Sequence, residues 1–85
     1  MSEHPTDFVG DIPTAIKDAI AEKIPGAQIH AEGGGGHYTI SVISSVFEGK
    51  SMVASQRLVL GAIAHLMKGD RAPVHAVDKL TTRSA

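Results

Sequence analysis

Four consecutive glycines, Gly33 to Gly36, separate two segments in which apolar and polar residues alternate. Ala27-Gln28-Ile29-His30-Ala31-Glu32 precedes them and His37-Tyr38-Thr39-Ile40-Ser41-Val42-Ile43 follows. Alternation with period two marks a half-buried strand. Glycine adopts the positive φ of a tight turn without steric cost, so the pair reads as a β-hairpin with a flexible tip over 33–36. Tyr38, Ile40 and Val42 share one face of the second strand and should enter a core. A lone hairpin is marginal in water, so the rest of the chain must cover it.

Two helices can do so. Ile12, Ile16, Ala19, Ile20 and Ile24 recur at spacings of three and four, which predicts a helix over about 12–24. Asp11 suits its N-cap, Pro13 fits its first turn, and Pro25-Gly26 stops it. Met52, Leu58, Val59, Ala62, Ile63 and Leu66 form a second stripe, predicting a helix to about Met67, capped by Ser51 or Ser45 and ended by Gly69. Val74 to Leu80 reads as a short third strand with Val74, Ala76 and Val77 as its buried members. Residues 1–10 read as a loose lead-in, 11–80 as one domain and 81–85 as a frayed tail. The order α-β-β-α-β specifies an α+β fold, with a three-stranded mixed sheet and both helices on one face. A right-handed crossover should set the third strand parallel to the second.

Size and charge exclude several functions. With 85 residues the chain forms one domain with a thin core and no room for a deep substrate cavity. It has no cysteine, which removes disulfides, thiol catalysis and thiolate metal sites within the chain. No signal-like N-terminus or membrane-length apolar stretch is present, and a cytoplasmic location is expected. The formal charge of −1 weighs against a dedicated nucleic-acid binder. Lys50, Arg57, Lys68, Arg71 and Lys79 read as a solvated surface or a modest basic rim.

Chemistry-bearing motifs are few. Gly49-Lys50-Ser51 lacks the upstream glycine of a phosphate-binding loop, since Ser44 stands there, and reads as a turn and a helix cap. The carboxylates Glu32, Glu48 and Asp78 are scattered, no nucleophile–base signature exists, and no enzyme is expected. Among five histidines, His4 gets no role, and His30 and His65 read as surface residues. His37 opens strand two and His75 opens strand three. On parallel neighbouring strands these positions lie at the same end of the sheet, so two imidazoles can converge there as a weak metal site.

The segment Val42-Ile43-Ser44-Ser45-Val46-Phe47-Glu48-Gly49-Lys50-Ser51, continuing to Gln56-Arg57-Leu58-Val59, resembles the BolA family. Its members carry a V-V-S-x-x-F-E-G-K-S-like stretch and an R-H-R-L-V-like helix. Pro73-Val74-His75-Ala76-Val77 is similar to the family's I-H-A-L-type third strand. The glycine hairpin ending in His37-Tyr38 resembles the short-loop branch typified by bacterial IbaG. The resemblance implies a fold related to the type II KH domain. It also implies partnership with a monothiol glutaredoxin, sharing a [2Fe–2S] cluster to which the glutaredoxin and glutathione each give a thiolate. His75 matches the family's cluster histidine, and His37 is the loop ligand that remains, because the loop cysteine of some relatives falls at Gly34. Residues around Arg57 and Lys79 are expected to dock the partner. Gln56 stands where relatives carry a histidine, and their Y-T-P-x-x-W-like ending is absent. An iron–sulfur trafficking or regulatory adaptor is therefore the first expectation. The rival is a KH-like nucleic-acid-binding transcriptional regulator linked to stress, and a third reading is a metal-free interaction module. A homodimer is left open.

Overall fold

A computed structural model describes residues 10–85; the lead-in over 1–9 lies outside them. Helix α1 spans Ile12–Lys23. Asp11 caps it by accepting from the Thr14 amide at 2.9 Å and from the Thr14 hydroxyl. These two bonds, helped by Lys17, hold the Asp11 carboxyl below its ordinary range. Strand β1 spans Gln28–Gly34 and strand β2 spans His37–Ile43, joined antiparallel. A short 3-10 turn over Ser45–Phe47 leads to α2, Met52–Ala62, which Ser51 caps by accepting from the Ala54 amide at 3.1 Å. A second 3-10 turn, Ala64–Leu66, precedes β3, Ala76–Arg83. The sheet order is β1-β2-β3, with β2 and β3 parallel.

The core lies between one face of this sheet and both helices. Ile16 and Ile20 of α1, Tyr38, Ile40 and Val42 of β2, and Val59 of α2 are all buried in one cluster. Each aliphatic side chain taken fully out of water stabilises the fold by about 1.5–3 kcal/mol. The other sheet face is open, carrying His30 and Glu32 of β1, Thr39 and Ser41 of β2, and Lys79 and Thr81 of β3.

Four expectations need correction. The glycine tip is shorter than the run. Gly33 and Gly34 belong to β1 and pair with Tyr38 and His37, leaving a two-residue turn at Gly35-Gly36 with φ of 62° and 86°. Both values are positive, as a type I′ turn requires. Second, α2 ends at Ala62 rather than near Met67. Gly61 weakens its last turn, Ile63 leaves helical geometry at φ −107° and ψ 9°, and the chain tightens into the 3-10 turn. Third, Val74 is fully buried but precedes the strand, and Ala76 is only half-buried; Val77 and Leu80 are the β3 residues against the core. Fourth, Thr81, Thr82 and Arg83 are not a tail, because they pair with Ser41, Val42 and Ile43 and gain ladder hydrogen bonds from them.

The spacing of Val77 and Leu80 requires an irregular strand. Two residues three apart cannot share a face of a regular strand. The register slips between Tyr38 and Thr39, so that Tyr38 faces Val77 while Thr39 faces Lys79. Asp78 is the extra residue of a bulge. Its insertion returns Lys79 to the open face and Leu80 to the core; without it every later side chain would be reversed.

Candidate metal centre

The start of β3 is fastened to the hairpin turn. The carbonyl of Gly36 accepts from the backbone amides of His75, at 2.8 Å, and Ala76, at 2.9 Å. Gly36 immediately precedes His37, and His37 pairs with Ala76 across the parallel ladder. Backbone geometry alone therefore brings residues 37 and 75 together. Their ring centres are 5.8 Å apart, with planes tilted by 50°. Both residues are exposed, so the imidazoles converge at one end of the sheet where another molecule can reach them.

The third member is Asp78. Its Oδ1 lies 3.0 Å from Nδ1 of His37, and both side chains are about half exposed. Glu32, Glu48 and Asp78 are scattered in the sequence, but the fold brings two of them against histidines. Glu32 bonds the His30 Nε2 at 2.8 Å on the open face, and Asp78 meets His37. Strand alternation would have signalled the first pair, whose members are two residues apart. The second pair is separated by 41 residues and depends on the β2–β3 register and the bulge.

Of the other candidates, Lys79 follows Asp78 directly and pairs with Thr39. His30 and His65 are exposed, as expected of surface residues, and His4 lies outside the described residues. Arg57 on α2 and Lys79 on β3 are both exposed. Their backbone segments meet, because Gln56 donates from Nε2 to the carbonyl of Leu80 at 3.3 Å. That bond ties α2 to the edge strand, a role that no local sequence pattern around Gln56 signals.

The donor set fits a metal shared with another molecule. Two imidazole nitrogens each about 2.1 Å from one metal, at a tetrahedral angle, place ring centres roughly 5 Å apart. The observed 5.8 Å lies within a small side-chain rotation of that value. Two imidazoles are too few for a closed structural site, which takes four ligands. Among the described residues no group of three or more His, Asp and Glu side chains is arranged to hold an ion by itself. The remaining ligands would have to come from elsewhere.

Comparisons with known proteins agree on the scaffold. BolA1 from Arabidopsis thaliana superposes with a TM-score of 0.73 at 14% identity, covering 89% of this chain and 94% of its own. The BolA domain of SufE1 from the same plant gives a TM-score of 0.73 at 18% identity, covering 91% and 95%. The solution structure of BolA1 from Mus musculus gives 0.62 at 25% identity, covering 98% of this chain and 73% of that one. No curated protein sequence shows a significant match. The family model described as BolA-like protein matches residues 16–84, which include α2, β3 and both histidines of the cluster. The chain belongs to the BolA-like protein family.

Proposed function

We propose that the protein is a non-enzymatic adaptor that shares a [2Fe–2S] cluster with a monothiol glutaredoxin, in iron–sulfur trafficking or its regulation. The observation that carries this reading is the exposed pair His37 and His75, 5.8 Å apart and fastened through Gly36. In this reading the cluster is cargo. Glutaredoxin and glutathione supply thiolates, and His75 and His37 supply two nitrogens. Replacing thiolate by neutral imidazole removes negative charge from one iron and raises the reduction potential, as in Rieske centres. The chain's own contribution is to present both rings at one open end, beside a tight turn that leaves space for a partner. Arg57 and Lys79 are the residues assigned to docking. The short turn at Gly35-Gly36 supports placement in the short-loop, IbaG-like branch. No helix among the described residues is long and apolar enough to cross a membrane, and we place the protein in the cytoplasm, where glutaredoxins and their thiols stay reduced.

The test is to mix the chain with a glutathione-loaded monothiol glutaredoxin carrying its cluster and record visible absorption and circular dichroism. A changed cluster spectrum that is lost in His75→Ala supports the reading. An unchanged spectrum, together with tight and steeply salt-dependent DNA binding, would replace it by the nucleic-acid reading.

A further inference from the structure

We infer that Asp78 is a positioning residue for His37, selecting the tautomer that leaves Nε2 as the outward metal donor. The inference rests on the metal reading above and adds a residue to it. A neutral imidazole carries one N–H and one acceptor nitrogen, and its partner decides which is which. Asp78 Oδ1 lies 3.0 Å from His37 Nδ1. A carboxylate only accepts, so Nδ1 carries the proton and donates it, and the lone pair is left on Nε2. A carboxylate behind a ligating histidine is a recurrent arrangement in metal sites, where it sets ring orientation and raises the basicity of the ligating nitrogen.

The backbone supports this assignment independently. Asp78 is the extra residue of the β3 bulge, the residue with no ladder partner of its own on β2. Bulges are uncommon between parallel strands, and they re-aim side chains near functional sites. Here the re-aimed side chain is the carboxylate that meets His37. The start of β3 is held separately, by the backbone bond from His75 to the Gly36 carbonyl.

The test begins without metal. Long-range proton–nitrogen correlation spectra of the chain alone, recorded well above the ordinary imidazole titration range, read the tautomer of each ring. The expected result is an Nδ1–H tautomer at His37 in the native chain and a shift toward Nε2–H at His37 in Asp78→Ala. An Nε2–H tautomer at His37 in the native chain, or a tautomer indifferent to Asp78→Ala, overturns the inference. The second arm titrates cluster-loaded, glutathione-bound glutaredoxin with each variant. Asp78→Ala should weaken formation of the mixed complex by about 10- to 100-fold, with Asp78→Asn intermediate. Native-like binding by Asp78→Ala overturns the positioning role while leaving the cluster reading intact. If the native chain itself fails to change the cluster spectrum, the cluster reading falls and the positioning role toward a metal falls with it, whatever the tautomer spectra show.

Discussion

Substituting alanine at two adjacent glycines should give opposite results. A Cβ built on Gly33 would lie 2.2 Å from the carbonyl oxygen of His37, 2.9 Å from the Cα of Tyr38 and 3.0 Å from its Cδ1. The first two are backbone atoms held in the β1–β2 ladder, so no side-chain rotation relieves them. Gly33 also sits at φ +137°, a region that costs a non-glycine residue about 1–3 kcal/mol. Forcing a methyl group against fixed neighbours adds about 1–3 kcal/mol. Gly33→Ala should therefore cost roughly 2–6 kcal/mol, a large share of the roughly 4–13 kcal/mol available to an 85-residue domain. Gly34 is different: it has no atom within 4 Å of its would-be Cβ and no positive φ. Gly34→Ala should be neutral or stabilising by about 0.4–1 kcal/mol, because alanine narrows the unfolded ensemble. Equilibrium urea denaturation followed by circular dichroism measures both. With a slope of about 1–1.5 kcal/mol/M, the Gly33→Ala midpoint should fall by about 1–6 M at unchanged slope, and the Gly34→Ala midpoint should hold or rise. Equal losses at both sites, or a loss below about 1 kcal/mol at Gly33, would refute the claim that close approach of the strands makes Gly33 obligatory.

Gln56→Leu removes the donor to the Leu80 carbonyl and should cost about 0.5–1.5 kcal/mol in the same urea assay. Tyr38→Phe should change the alkaline limb of stability. Burial, and then the negative charge of Asp11, push the Tyr38 hydroxyl above its ordinary value of 10.0. The folded state thus keeps a proton that the unfolded state releases, and stability is full below about pH 10 and is lost as pH rises through the folded value. Because Tyr38 is the chain's one tyrosine, phenolate absorbance reports it without interference, and Tyr38→Phe should flatten the decline.

Local order was readable because its signals lie within a few residues. Asp11 and the isoleucine spacing placed α1 within a residue of its observed end, and alternation placed Tyr38, Ile40 and Val42 in the core. The overrun of α2 has a simple cause. Ile63 and Leu66 keep a spacing of three in the 3-10 turn, and both stay buried, so hydrophobic periodicity does not register the change of helix type. Thr81 to Arg83 carry no apolar pattern, and they are strand because β2 offers them a ladder. At the site, the end-of-sheet argument anticipated the approach of His37 and His75, whereas Asp78 needed the register. One local signal was available: Val77 and Leu80, both apolar and three apart in a strand segment, already imply a bulge between them.

The way the site is built separates its chemistry from folding. The two bonds to the Gly36 carbonyl come from backbone amides, so they form whatever side chains stand at 37, 75 and 78. The His37–Asp78 pair is about half exposed on both sides, and exposed pairs of this kind contribute at most about 1 kcal/mol to stability. Such a contribution is small beside the burial of Ile16, Ile20 and Ile40. The same energy is sufficient for a different purpose. A preference of about 1 kcal/mol between two tautomers of one ring populates the favoured form roughly five to one. A weak surface interaction can therefore decide which nitrogen is offered to a metal while leaving the fold indifferent to it. Donor residues at this end of the sheet can then be exchanged at little cost to the core, and substitutions there should alter ligation before they alter folding.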